Sequence, residues 1–256
     1  MNAVNSTTRF SDRVDRYIKY RPGYPDEIYA YLQTEAGLKP GAEIADLGSG
    51  TGLLSKLFLA NRHTVYGIEP NADMRAAGEK FLKGEEKFIS LNGQAEKIPL
   101  SKQSVDFVIA GQAFHWFDPH KSKIEVKRIL RPGGQVALIW NSWEGKLSPF
   151  LEGYEELLIN FGTDYNKVNR NTNSENSILD FFGSSQTRYA EFSNVQHFDF
   201  DGLQGRLLSS SYAPLEDHPN YRAMIDKLLS LYEHHVQDGK VRFDYRTTVY
   251  HAEMGE

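Results

Sequence analysis

The residues whose types and spacing can do chemistry begin with Asp46-Leu47-Gly48-Ser49-Gly50-Thr51-Gly52, which stand between an apolar run and a helical segment. Glycines at such a junction permit positive φ and let a ligand come close to the backbone. In an open α/β sheet the ligand crevice lies at the carboxyl ends of the strands, where this loop falls. A dinucleotide fold wants GxGxxG, but here the third glycine comes one residue early, so the loop admits a ligand and suits a pyrophosphate less well. Glu69 follows 21 residues after Gly48, the distance at which an acidic side chain accepts hydrogen bonds from ribose hydroxyls and repels an NADP 2′-phosphate. Loop and carboxylate together predict a ribose-bearing ligand, against a plain strand–turn–helix junction with an incidental surface glutamate. An NAD-dependent oxidoreductase stays open at this point, although no Tyr-x-x-x-Lys pair follows the fifth strand.

Around these residues the chain alternates short apolar runs with helical segments. Strands are expected at Glu43–Leu47, Thr64–Ile68, Lys87–Leu91, Val105–Ala110 and Gln135–Trp140. Between them, Leu53, Leu54, Leu57 and Phe58 share one helix face, as do Met74, Ala77, Gly78 and Phe81. Asp118-Pro119 is a cap and first-turn pair for a helix that Arg131-Pro132-Gly133-Gly134 stops. Before the first strand, Phe10, Val14, Tyr17 and Ile18 mark an amphipathic helix, and Ile28, Tyr31 and Leu32 a second. The texture changes after Asn141. Tyr165 to Ser177 carries five asparagines and reads as a mobile loop. Beyond it, Phe192–Phe200 forms a strand, Asp201 caps a helix, Tyr221 to Tyr232 is amphipathic, and Val241 to Val249 alternates as a last strand.

The fold class expected is therefore α/β: a Rossmann-like, doubly wound, mostly parallel seven-stranded sheet with a helical cap or insertion. The divisions are N-terminal cap helices (1–36), a cofactor-binding core (37–141), an insertion (142–190) and the C-terminal completion of the sheet (191–256). Apolar residues at 40% and charged residues at 25% of 256 place the chain with ordinary globular proteins. A net charge of −5 disfavours an electrostatic grip on nucleic acid. The absence of cysteine removes disulfides, thiolate metal sites and a cysteine nucleophile. His234 and His235 adjoin on a helix, so their side chains diverge, and no metal site is expected. Lys121, Lys123, Lys127, Arg128 and Arg131 read as a solvated helix face. The longest apolar run, Val136 to Trp140, is far below the ~20 residues of a membrane helix, and Met1 to Thr8 lacks a signal-peptide core. A soluble, cytoplasmic protein without membrane contact is expected. No heptad pattern declares an oligomeric state.

Four stretches resemble, in order, the motifs of class I S-adenosylmethionine-dependent methyltransferases. They are Ile44 to Gly52; Val65-Tyr66-Gly67-Ile68-Glu69-Pro70-Asn71; Gly93-Gln94-Ala95-Glu96 with Ile98-Pro99-Leu100; and Ile129-Leu130-Arg131-Pro132-Gly133-Gly134. Arg21 to Pro25, Ala113 to Asp118 and Asp244 to Tyr250 further resemble the small-molecule branch that includes trans-aconitate methyltransferase-like proteins. The resemblance implies S-adenosylmethionine as methyl donor, S-adenosylhomocysteine as product and a small-molecule acceptor such as a carboxylic acid. A non-catalytic module that retains the cofactor pocket is the other reading. The (Asp/Asn)-Pro-Pro-(Tyr/Phe) tetrad of members that methylate nucleic-acid amino groups is replaced by Gln112-Ala113-Phe114-His115.

By the same resemblance, Gly48, Ser49 and Gly50 face the methionine and ribose, Asp46 sits near the methionine ammonium, and Glu69 holds the ribose. Pro70 and Met74 pack on adenine. Gln94 departs from the family's frequent aspartate but its amide oxygen can accept the adenine amino group, and Ala95 adds a backbone N–H. Gln112 meets the methionine end. His115 is the candidate catalytic base for an acceptor that must lose a proton, with an unperturbed pKa near ~6.5; an acceptor that is already an anion needs none. Tyr20, Trp116 and Trp143 are candidates for the acceptor pocket, Tyr17 and Phe114 for core packing, and Arg21 and Arg206 for gripping an acidic acceptor.

Overall fold

The computed structural model describes residues 14–165, 175–183 and 187–255. Its strands are β1 (Glu43–Leu47), β2 (Thr64–Ile68), β3 (Phe88–Leu91), β4 (Val105–Gly111), β5 (Leu130–Ser142), β6 (Arg188–Phe198) and β7 (Val241–Glu253). They form one seven-stranded sheet in the order β3-β2-β1-β4-β5-β7-β6. The first five pair in parallel, and β7 runs antiparallel to both β5 and β6. The doubly wound, mostly parallel sheet read from the sequence is thus the sheet observed. Its order reverses between β1 and β4, which opens a crevice above their carboxyl ends.

The described helices are α1 (Val14–Tyr20), α2 (Glu27–Glu35), α3 (Leu53–Ala60), α4 (Ala72–Phe81), α5 (Pro119–Ile129), α6 (Pro149–Phe161), α7 (Glu175–Phe182), α8 (Phe200–Leu208) and α9 (Tyr221–His235). Successive strand side chains point to opposite faces. Ala45, Val108, Ala110, Val136 and Leu138 therefore bury against α5 and α7, while Ile44, Phe107, Ile109, Ala137 and Ile139 bury against α2 and α3. Both faces being covered explains why these strands read as unbroken apolar runs. A third apolar cluster joins α6, α8 and α9 to Phe243 and Tyr245 of β7. None of the described helices is long and apolar enough to cross a membrane.

The structure differs from the sequence reading mainly after β4. Arg131 to Gly134 interrupts the pairing of β5 with β4 as a register shift instead of preceding the strand; Gly133 takes a φ of 75° there. β6 starts at Arg188 and ends at Phe198, because Asp199, not Asp201, caps α8 by accepting from the Gly202 N–H at 2.8 Å. Of the asparagine-rich segment, 166–174 lies outside the described residues. Tyr165 is buried and donates to Glu155 at 3.2 Å, and Ser177 belongs to α7.

Candidate active site

A cavity of about 760 Å³ opens above the carboxyl ends of β1 and β4 and extends toward α8. Its floor is the glycine loop. Gly48 N–H and Ser49 N–H donate to the Ile68 carbonyl at 2.9 and 3.2 Å, which ties the loop to the end of β2. Gly48 adopts φ 65°, and a Cβ on it would stand 2.7 Å from the Ala113 Cβ, so no larger residue fits. Asn71 caps α4 by accepting from the Asp73 and Met74 N–H groups at 2.9 and 3.0 Å, which turns Met74 toward Gly50.

Two carboxylates sit beside this floor. Both oxygens of Glu69 accept backbone N–H bonds, from Gly50 at 3.0 Å and from Asn71 at 2.8 Å. Burial pushes the Glu69 carboxyl up, and those N–H groups and Arg75 oppose the rise. Asp46 is 1% exposed. Its Oδ2 accepts from the Ser55 hydroxyl at 2.6 Å, and its Oδ1 has no partner among the described residues. Burial first, and then the nearby Glu69, raise its pKa from 3.8 to about 7, against the Ser55 bond. A buried pair of carboxylates with an orphaned oxygen, open to a glycine-floored cleft, suits a ligand that brings a positive charge and ribose hydroxyls.

The turn after β4 supplies the next wall. Gln112 has φ 55°, and its side-chain amide donates to the Asn141 carbonyl at 2.6 Å. Asn141 in turn accepts from Thr247 at 2.5 Å and from Asn194 at 3.0 Å, and donates to the Gly23 carbonyl at 3.1 Å. One polar residue at the end of β5 thus ties together the N-terminal segment, β6, β7 and the β4 turn. The His115 ring lies 4.8 Å from the Trp116 ring. Its Nδ1 is buried without a partner among the described residues, and burial alone lowers its pKa to about 4. At neutral pH this imidazole is neutral and weakly basic.

Asp46, Gly48, Ser49, Gly50, Glu69, Pro70, Met74, Gln94, Ala95, Gln112, Arg21, His115, Trp116 and Trp143 all line this one cavity. Tyr20 does not; its ring fills the slot left by the missing side chain of Gly205 on α8. Phe114 is fully buried among Phe117, Trp140 and Phe181, whereas the Tyr17 side chain lies outside the described residues. Sequence reasoning passed over Asn141, Tyr212 and Tyr245, which also line the cavity. Two signals were available: Asn141 is a polar residue closing an apolar strand, and Tyr245 alternates in phase with the inward-facing Phe243 and Thr247.

Comparison with known proteins agrees with this geometry. A family model described as a methyltransferase domain matches residues 45–138. An uncharacterized methyltransferase of Mycobacterium tuberculosis (strain H37Rv) is 36% identical over 138 residues, 54% of each chain, so this chain spans about half the length of that relative. An uncharacterized methyltransferase of Geobacillus kaustophilus is 30% identical over 155 residues, 58% of this chain and 70% of its own. A solved protein of Anaeromyxobacter dehalogenans, assigned as a type II methyltransferase, superposes with a TM-score of 0.67 at 18% identity, covering 92% of this chain and 99% of its own. Taken with the glycine loop, the reversal of sheet order above it and the buried Glu69 beside it, these matches establish that the chain belongs to the class I methyltransferase family.

Proposed function

We propose that this protein transfers the methyl group of S-adenosylmethionine to a small-molecule acceptor, in the manner of the trans-aconitate methyltransferase-like branch. The observation that carries the reading is the orphaned Asp46 Oδ1 beside Glu69 at a floor that only glycine can form. When bound, the donor supplies a methyl carbon made electrophilic by its sulfonium; the acceptor's lone pair forms the new bond as the carbon–sulfur pair departs with sulfur, giving S-adenosylhomocysteine. In this reading Asp46 faces the donor's positive charge and Glu69 its ribose. Pro70, Met74, Gln94 and Ala95 hold the adenine, and Gln112, itself held by Asn141, closes the methionine end.

The protein's task in such a displacement is alignment, worth about 7–11 kcal/mol when both reactants are held in place. Arg21, Trp116 and Trp143 shape the acceptor side, with α1 packed across α8 and α4 to limit water. A neutral His115 of pKa about 4 is too weak to deprotonate a phenol or an amine. This favours an acceptor atom that is already anionic, with His115 as a hydrogen-bonding neighbour. The absence of the tetrad used on nucleic-acid amino groups supports a small-molecule acceptor.

Thermal unfolding with S-adenosylmethionine, S-adenosylhomocysteine, NAD and NADP tests the assignment. A ligand at about 100 times its Kd adds about 2.7 kcal/mol, which at about 2–4 °C per kcal/mol raises the midpoint by roughly 5–11 °C. A rise with the two sulfur nucleosides only is expected. A rise with NAD alone overturns the reading.

A further inference from the structure

The lobe of the cavity under α8 contains a buried charge that no described residue neutralises. Arg206 is 2% exposed and lines the cavity. Its Nε donates to the Tyr245 hydroxyl at 2.9 Å and its Nη1 to the Ser210 hydroxyl at 3.1 Å. Both partners are neutral, and no carboxylate pairs with Arg206 among the described residues. A guanidinium carries five N–H donors, so these two bonds leave most of the fork for something else.

The surroundings point the same way. Arg21 Nη2 reaches the Ser210 hydroxyl at 3.4 Å and the Ser209 carbonyl at 3.1 Å, bringing a second guanidinium to the same hydroxyl. The Arg206 guanidinium lies over the Phe243 ring at 5.3 Å, which covers one face of the fork. A buried cation without a counter-charge is expensive, and an oxyanion in the cavity would satisfy it.

We propose that Arg206, with Arg21, forms a subsite that anchors a carboxylate or phosphate group of the acceptor, and that this anchored group is not the one methylated. The proposal rests on the methyl-transfer reading above. Its second half follows from chemistry: an oxyanion gripped by a desolvated guanidinium has its lone pairs engaged and its charge neutralised, so it is a poor nucleophile. The acceptor is then at least bifunctional, holding on by one group and reacting through another. Tyr245 and Gln196 act as positioning residues. The Tyr245 hydroxyl accepts from Arg206 and donates to Gln196 Oε1 at 2.9 Å, which fixes the plane of the fork.

The test titrates the protein loaded with S-adenosylhomocysteine with acetate, succinate or inorganic phosphate at constant ionic strength, following binding by calorimetry. Saturable binding of at least one of these anions is expected; the carboxylate and phosphate arms show which oxyanion the lobe prefers. Arg206→Lys keeps the charge and loses the fork, and weakens that anion by about tenfold or more. It should leave affinity for S-adenosylhomocysteine within about twofold, since only the anion uses the fork. Arg21→Lys, at the second guanidinium on the Ser210 hydroxyl, weakens the anion in the same direction and guards against a folding defect in the first variant. In the presence of S-adenosylmethionine, bound acetate is expected to stay unmethylated. No binding by any of the three anions, unchanged binding in both variants, or formation of methyl acetate each overturns the proposal. A protein that fails to bind S-adenosylhomocysteine at all instead overturns the methyl-transfer reading itself.

Discussion

The two ends of the cavity are built in opposite ways. The end proposed for the donor is assembled from three short stretches, 46–52, 69–74 and 94–96, at the carboxyl ends of neighbouring strands. The end proposed for the acceptor draws Arg21, Trp143, Arg206 and Tyr245 from four segments far apart in the chain. Their charges are opposite as well: Asp46 and Glu69 at one end, Arg206 and Arg21 at the other. Each end carries the sign that complements a cationic donor or an anionic acceptor, so the reactants can be held by groups that take no part in bond making. In the proposed reading, one end is a general device for a common nucleoside. The other is where an individual acceptor is specified.

The sharpest way to break this division is Glu69→Ala. Charge-assisted hydrogen bonds are worth about 1.5–3 kcal/mol each, and losing the ribose contacts weakens S-adenosylhomocysteine by about 100-fold. The variant also frees the Gly50 and Asn71 N–H groups that Glu69 now holds. Calorimetry should show this loss while anion binding at the far end persists; loss of both would mean that the two ends fold as one unit.

Asp46→Asn is expected to separate stability from binding. The folded pKa of Asp46, about 7, lies above its unfolded value of 3.8. Its own contribution therefore favours the fold below the unfolded value and is lost as pH rises through about 7. The ligand-free variant should then be more stable than the parent at pH 8, by on the order of 1–3 kcal/mol, while binding S-adenosylmethionine less well. In the parent protein, affinity for this cationic donor should rise from pH 6 to pH 8 as Asp46 ionises. A flat profile would remove Asp46 from the donor site.

On the acceptor side, Tyr245→Phe keeps the ring on Phe243 and removes the hydroxyl that steadies Arg206. Anion affinity should fall by about 3–10-fold, the worth of one hydrogen bond, without a change at the donor end. The smallest effect is expected for His115→Gln. General-base catalysis contributes about 100-fold or more, and a neighbour that only hydrogen-bonds much less, so turnover should drop by under about tenfold. The pH–rate profile should also lack a limb near ~6.5. A hundredfold loss with such a limb would make His115 the base.

The contrast between the two ends also marks how far the sequence could be read. β1, β2 and β4 and the glycine loop were legible because their signals are local: apolar runs for strands covered on both faces, glycines where φ is positive, and Glu69 at the next strand end. β6 was less so. As an edge strand it leaves Tyr189 and Val195 exposed, which blurs the alternation that finds a strand. The exchange of Asp201 for Asp199 as the cap of α8 turns on where that strand stops, and this depends on its pairing with β7. Tyr20, placed at the pocket by residue type, packs on Gly205 instead, a fit between residues far apart in the chain.

By itself the sequence determined the sheet, the loop and the carboxylate that line one end of the cavity, since each is set by conformational preferences within a few residues. The tertiary structure alone decided which charges lose their water. Arg21 and Arg206 are equal candidates in the sequence, and His115 is singled out there by position without its charge being set. Only the packing of α6, α8 and β7 around Arg206, and of the β4 turn around His115, makes the first a buried charge without a counter-ion among the described residues and the second a neutral ring. Solvation is a property of every segment that surrounds a group, so no local pattern can encode it.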